Sequence, residues 1–114
     1  MRVLDGEQVL VRIFVGEMDK WHHQPLSIAL VERLRKEGFA GATVFHGVAG
    51  FGAHSRLHSA HILRLSEDLP VVVEIVDVRE KLEEFLAEIE GHVPEGLATL
   101  EKAFVRFYRG GKAK

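Results

Sequence analysis

Three histidines in the middle of the chain have a spacing that could build a metal site. His54, His58 and His61 are four and three residues apart. On a helix, these spacings place the imidazoles on one face, where two or three neutral rings can bind zinc or copper. Because no Asp, Glu or Cys follows at ligand spacing, we keep divalent metal binding as an alternative function.

Two arginines near the carboxyl end suit a phosphate group. The planar guanidinium groups of Arg106 and Arg109 match the two-pronged geometry of phosphate oxygens, although most arginines simply lie in solvent. A glycine pair flanks an aromatic residue at Gly50-Phe51-Gly52. Such a triplet either contacts a ligand or marks a bend where a Cβ atom would clash, and the sequence leaves both readings open.

The sequence does not predict an enzyme. It has no Ser-His-Asp arrangement with a recognisable context and no phosphate-binding Walker loop. The paired carboxylates Glu83-Glu84 and Glu88-Glu90 fall on the solvated face of a predicted helix. Trp21 and His22 precede another helix, and we interpret the indole as an aromatic plug over the core.

The composition is that of one small globular domain. Its 114 residues are 46% hydrophobic and 28% charged, with a net charge of −2 and no cysteine. This balance disfavours nucleic-acid binding, and the lack of cysteine disfavours a disulfide-dependent secreted domain. The start of the chain resembles no secretion signal, and no apolar run could span a bilayer. We therefore expect a cytoplasmic protein that does not insert directly into a membrane.

Hydrophobic periodicity predicts four strands and two helices. Val9, Val11, Ile13 and Val15 alternate along the first strand. The first helix has Pro25 at its first position and stops at Gly38, and the second is capped by Asp77, which has the capping-box spacing to Glu80. The predicted order is strand 9–15, first helix, strand 42–48, a strand from Leu69, second helix and strand 103–108.

This order predicts an α+β, ferredoxin-like βαββαβ domain with two helices on one face of a four-stranded antiparallel sheet. We expect a leader over 1–8, the domain over 9–109 with a long loop at about 49–66, and a flexible tail over 110–114. The other sheet face needs a partner. Alternatively, its aromatics fill the core. The candidates for that face are Leu10, Phe14, Phe45, Phe104 and Tyr108.

Several stretches resemble PII nitrogen-regulatory proteins. Gly41-Ala42-Thr43-Val44, Gly47 and Gly50-Phe51-Gly52 resemble their second strand and loop entrance. A PII-like branch that is known as a domain of unknown function is similar over about nine-tenths of the chain. The stretches that carry this closer resemblance are 13–17, Trp21-His22, Pro25-Leu26, 41–51, His58 and 65–72.

The resemblance implies a homotrimer with its sheets packed about a threefold axis and three clefts between subunits. Relatives bind adenine nucleotides there, so AMP, ADP, ATP or a cyclic nucleotide is the expected ligand, with no required cofactor. The implied ligand-binding residues are Gly50, Phe51, Gly52, His92, Arg106 and Arg109.

Two departures qualify the expected ligand. The loop 91–96, which corresponds to the phosphate-side loop, lacks the usual lysine, so a monophosphate or cyclic nucleotide fits better than a triphosphate. Arg106 and Arg109 are three residues apart, which in a strand would place them on opposite faces. The long loop also has no tyrosine, so tyrosine modification is not inherited.

We therefore expect a ligand-sensing regulator that signals through its long loop to an unidentified target protein, such as a membrane transporter or channel. The alternative is a metal-binding trimer like the CutA proteins, using His54, His58 and His61.

Overall fold

The computed structural model describes residues 4–51, 58–59 and 69–110. Eight strands and two α-helices lie in these ranges. In chain order they are β1 (Gly6–Gly16), β2 (Lys20–Trp21), β3 (Gln24–Pro25), α1 (Leu26–Lys36), β4 (Thr43–His46), β5 (Ala49–Gly50), β6 (His58–Ser59), β7 (Pro70–Asp77), α2 (Arg79–Ile89) and β8 (Leu97–Val105), with a 3-10 turn at Glu90–His92 after α2.

The four longer strands form one antiparallel sheet in the order β4-β7-β1-β8. This is the order of a ferredoxin-like βαββαβ domain, so the predicted α+β fold is confirmed. The other strands form two short hairpins, β2–β3 and β5–β6. Neither described helix is long or apolar enough to cross a membrane.

The core lies between the helices and one face of the sheet. Successive strand residues point to opposite faces, so every second residue of β1 and β7 is buried. The apolar stripes of both helices pack against them. The cluster comprises Val9, Val11, Ile13, Val15, Leu26, Leu30, Leu34, Val71, Val73, Ile75, Leu82, Phe85 and Ile89.

One helix end was predicted correctly and another was not. After α1, Gly38 adopts a left-handed φ of 82°, as a glycine stop requires. The capping box at α2 is wrong, because β7 continues to Asp77 and the helix begins at Arg79 without a side-chain cap. Asp77 is buried, and its carboxylate accepts hydrogen bonds from the backbone N–H groups of Ala40 (2.9 Å) and Val78 (2.8 Å).

The sheet face away from the helices carries two rows of side chains that cross all four strands. The strand registers align Phe45, Val72, Phe14 and Leu97 in an apolar row. The next row, which we call the polar row, consists of Thr43, Glu74, Arg12 and Thr99. Phe45 and Leu97 are 51% and 58% exposed, so the apolar row is largely uncovered in one chain.

The last strand differs from its prediction. It spans Leu97–Val105 instead of 103–108, because Arg106 begins a bend. In its register Phe104 pairs with Glu7, which places Phe104 on the helix side of the sheet, and it is 81% exposed. Tyr108 lies beyond the strand. The assignment of Phe104 and Tyr108 to the partner face is therefore wrong, whereas Leu10, Phe14 and Phe45 do lie on it.

Candidate functional site

The base of the long loop is closed by contacts between glycine and proline. The Gly47 N–H donates to the Pro70 carbonyl at 2.7 Å. A Cβ atom on Gly47 would lie 2.7 Å from Pro70 Cγ, and one on Gly50, whose φ is 152°, would lie 3.0 Å from it. Gly47 therefore requires glycine because a side chain would clash with Pro70, and Gly50 requires it for its backbone conformation as well. We name this pair of glycines on Pro70 the neck.

Of the two predicted ligand residues that follow Gly50, the structure describes only the first. Phe51 leaves β5 with an exposed side chain, so its ring is accessible beside the neck. Gly52 lies outside the described residues. On the other side of the neck, the Glu17 N–H donates to the Leu69 carbonyl at 2.8 Å and ties the returning chain to the end of β1.

The loop 91–96 lies at the same end of the sheet as the neck. A Cβ atom on Gly96 would lie 2.6 Å from the Phe14 carbonyl oxygen, so the loop runs directly against β1 there. Phe14 is two residues from Gly16, which pairs with Pro70 of the neck. At the other end of the loop, the His92 ring stacks on Trp21 with a centroid distance of 4.3 Å. Two of the three predicted ligand segments thus share one end of the sheet.

One side of this loop is acidic. A groove of about 490 Å³ between α2 and β8 is lined by Val93, Pro94, Glu95 and Gly96 of the loop, by Glu83 of α2 and by Glu90 of the 3-10 turn. The described residues that line it include no Lys or Arg. Three carboxylates in one groove repel a phosphate, so an anion would have to approach the loop from its other side.

The arginines lie at the opposite end of the sheet. β8 ends at Val105, which pairs with Gly6 at the start of β1, and Arg106 and Arg109 follow. An 11-residue strand such as β1 spans roughly 30 Å between its ends. The Tyr108 hydroxyl fixes this segment by donating to the Ala40 carbonyl at 2.7 Å. One chain therefore does not bring the arginines to the neck or to the loop 91–96.

The rule that residues three apart in a strand point to opposite faces does not apply to Arg106 and Arg109, because neither lies in a strand. Both are exposed, and the guanidinium carbon of Arg109 lies 4.5 Å from the centroid of the Phe107 ring. A guanidinium over an aromatic face keeps its hydrogen-bond donors free at the edge.

The histidine cluster lies mostly outside the described residues, which exclude His54 and His61. His58 lies in β6, opposite Gly50. The helical spacing that would align the three rings therefore does not hold at His58. Among the described parts of the chain, no group of three His, Asp or Glu side chains could hold a metal ion. Metal binding by the histidines stays a prediction.

Sequence reasoning missed the role of Pro70 and one contact of Trp21. Pro70 gave no signal that two glycines pack on it, because glycine contacts depend on a close approach of distant backbone. Trp21 was interpreted as a plug over the core; it does pack against the core, but it also contacts His92 of the loop 91–96.

Comparison with known proteins decides the family. The sequence matches the family DUF190, described as "Uncharacterized ACR, COG1993", over residues 8–105. The chain belongs to this family. It is 42% identical over 101 residues to a UPF0166 protein of Aquifex aeolicus, covering 89% of this chain and 93% of that protein. A UPF0166 protein of Methanocaldococcus jannaschii is 32% identical over 80 residues, which is 70% of this chain and 73% of that protein.

Solved structures show the same fold. CPII, a nitrogen regulatory PII-like protein from Thiomonas intermedia, was solved bound to ADP, AMP and bicarbonate. It matches with a TM-score of 0.63 and 16% identity, over 91% of this chain and 92% of that one. A second CPII structure, bound to ADP and bicarbonate, matches with a TM-score of 0.59 and 17% identity, over 91% and 93% of the two chains. The expected membership of a family known as a domain of unknown function is confirmed, and the fold is the one that these PII-like proteins have.

Proposed function

We propose that this protein is a trimeric, non-enzymatic regulator that binds an adenine nucleotide in clefts between subunits and signals through its long loop to a partner protein. The observation that carries the proposal is the separation of the predicted ligand residues. The neck and the loop 91–96 lie at one end of the sheet, and Arg106 and Arg109 follow its other end. A cleft that uses all of them needs two subunits.

The sheet face away from the helices supports assembly. In one chain, Phe45 and Leu97 of the apolar row are exposed, and Val72 and Phe14 are partly exposed. Burying one large apolar side chain contributes roughly 1.5 to 3 kcal/mol, so covering this row in each subunit would outweigh the cost of association. Three sheets that meet about a threefold axis cover all three faces and close the assembly.

The choice of ligand rests on charge and on the fold neighbours. Both CPII structures hold ADP, and one of them also holds AMP. In this chain the loop 91–96 has no lysine and contains Glu95. Less positive charge favours a ligand with fewer phosphates, so AMP, a cyclic nucleotide or ADP should bind more tightly than ATP.

The signal would leave through the chain between the neck and Leu69. Ligand bound against Gly50 and Phe51 touches the point where this segment begins. A ligand shifts the conformation of such a segment only by its difference in affinity for the two states. A target protein that binds only one of those states would therefore bind according to whether the cleft holds a ligand.

Isothermal titration calorimetry with AMP, ADP, ATP and cyclic AMP tests the ligand. We expect AMP or cyclic AMP to bind with a stoichiometry of one per subunit, and ATP to bind more weakly. If no nucleotide binds at millimolar concentration, the proposal is wrong.

Mixed trimers test the shared cleft. The first variant, Phe51→Asp, places a negative charge on an exposed side chain beside the neck. The second, Arg106→Ala with Arg109→Ala, removes the arginines that a subunit would contribute to the cleft of its neighbour. Each variant alone should lose binding. In trimers refolded from an equal mixture, about one quarter of the clefts combine an intact neck with intact arginines, and binding should return to that extent. If the mixture binds no better than the separate variants, the cleft is not shared.

A further inference from the structure

Trp21 lies where three parts of the chain meet. It is the sole tryptophan of the sequence and ends β2, the first strand of the β2–β3 hairpin. Its ring stacks on His92 at 4.3 Å with an interplanar angle of 16°, and on its neighbour His22 at 5.6 Å. The guanidinium carbon of Arg33, from α1, lies 5.5 Å from the ring centroid. The indole therefore joins the hairpin and α1 to the turn that follows α2.

The hairpin that carries Trp21 is held firmly. Its two turn residues, His22 and His23, have φ of 54° and 66°, as in a type I′ turn, which normally uses Asn and Gly. Side chains with a Cβ adopt this conformation rarely and keep it where the surroundings fix them. Asp19 anchors the hairpin, since its carbonyl accepts from the Leu26 N–H (2.8 Å) and its carboxylate accepts from the Gly16 N–H (2.9 Å).

The loop 91–96 is loosely packed at Gly91. A Cβ atom on Gly91 would meet no atom within 4 Å, and the hydrogen bond from the Val93 N–H to the Glu90 carbonyl is long, at 3.4 Å. At its end, Gly96 runs against the Phe14 carbonyl. Val93 packs against the core, so the stack on Trp21 is the contact that fixes His92, the residue before it.

We infer that Trp21 is a positioning residue for the ligand loop: by stacking on His92 it holds the loop 91–96 in the conformation that receives the nucleotide phosphate. This inference rests on the proposed function. A loop that spends only a fraction of its time in the competent conformation binds more weakly by that fraction. The stack would thus set nucleotide affinity without a contact between Trp21 and the ligand.

Calorimetry with AMP tests this role in the wild type, Trp21→Ala, His92→Ala and the double variant. Aromatic pairs of this kind change equilibria by about 2- to 10-fold, so each single variant should weaken AMP binding by that factor. The double variant should bind AMP as tightly as the single variant with the lower affinity, because both changes remove the same contact. Unchanged affinity in Trp21→Ala, or losses that multiply in the double variant, would overturn the inference.

Conservative variants separate positioning from general damage to the fold. Trp21→Phe keeps an aromatic face for His92 and should restore AMP affinity to near the wild-type value. If Trp21→Ala does not fold, the test compares His92→Ala with His92→Phe instead. The phenyl ring of His92→Phe can stack on the indole, so this variant should bind AMP more tightly than His92→Ala. Failure of both aromatic replacements to restore binding contradicts a role through stacking.

A ligand-free measurement separates this inference from the proposed function. Hydrogen exchange of the backbone N–H groups in the loop 91–96 should be about 2- to 10-fold faster in Trp21→Ala than in the wild type, with no change in β7. Phe51→Asp is the matched control, because it should weaken AMP binding and leave exchange in this loop unchanged. If the wild type binds no nucleotide, the proposed function fails, whereas equal exchange in Trp21→Ala removes the positioning role by itself.

Discussion

The two faces of the sheet are built in different ways. On the helix side, the buried residues of β1 and the first three of β7 are all aliphatic. On the other side, an apolar row is followed by a polar row, in which Arg12 Nε lies 3.0 Å from Glu74 Oε2. Arg12 Nη1 also lies 3.6 Å from Oε1 of Glu101, which follows the polar row on the same face. A uniformly apolar face gives burial without directional contacts, whereas a face with charged groups in fixed positions also favours one arrangement of its partner. The first face accounts for folding of the subunit, and the second suits the assembly that we propose.

The largest expected effect lies on the helix side. Phe85 is fully buried among the aliphatic residues, so Phe85→Ala should lower the free energy of unfolding by about 3–5 kcal/mol. Urea denaturation followed by circular dichroism measures this. Glu84→Ala, one residue away on the exposed side of α2, should change stability by less than about 0.5 kcal/mol. Similar losses in both variants would contradict the assignment of this face to the core.

On the assembly face, Phe14→Glu places a charge in the middle of the apolar row. The variant loses the burial of one large side chain per subunit, about 1.5–3 kcal/mol, and the trimer should dissociate or unfold. Light scattering at micromolar concentration should give a mass near three times 12.8 kDa for the wild type. Glu84→Lys, on the outer side of α2, should leave that mass unchanged. A wild-type mass near one subunit would overturn the proposed assembly.

A smaller effect is expected where the loop 91–96 touches β1. Gly96→Ala must move the loop away from the Phe14 carbonyl, at a cost of about 1–3 kcal/mol. Gly91→Ala is the matched control, since its Cβ atom meets open space and should change stability by less than about 0.5 kcal/mol. Thermal unfolding of the two variants provides the comparison, and equal midpoints would show that the loop is not held at Gly96.

The smallest effect concerns the polar row. In a lone subunit the ion pair of Arg12 with Glu74 is only partly buried, and such pairs contribute about 0–1 kcal/mol. A double-mutant cycle with Arg12→Leu and Glu74→Leu measures the coupling energy of this ion pair, and its values at low and at high salt show whether the pair is exposed. Coupling that persists at high salt indicates a covered face, because salt screens exposed charges far more strongly than buried ones. Coupling that vanishes would place the polar row in solvent.

Much of the fold follows from the sequence, because burial on one face leaves a periodic trace. The alternation of Val9, Val11, Ile13 and Val15 predicted β1 and its buried side correctly. β8 was misplaced because its register depends on pairing with β1 and its own residues do not alternate strictly. The Asp77 prediction failed because Asp followed by Glu three residues later has the same spacing whether Asp caps a helix or ends a strand.

The candidate site could be predicted only as separate pieces. The hairpin of β2 and β3 gave no signal, since its His22-His23 turn lacks the Asn-Gly pattern of such turns. The contact between Trp21 and His92 joins residues 71 positions apart, and no local pattern encodes it. The neck and Arg106 lie far apart because β8 pairs antiparallel with β1. The alternation of buried and exposed residues along a strand does not specify which strands pair.

The neck also bears on how this chain can vary. Because Gly47 and Pro70 close the base of the intervening segment by hydrogen bonding and close packing, the sheet beneath does not depend on how many residues lie between them. Doubling the length of such a closed segment costs only about 0.6 kcal/mol of chain entropy. A longer or shorter segment between Gly47 and Pro70 would therefore leave the sheet in place at little cost in chain entropy.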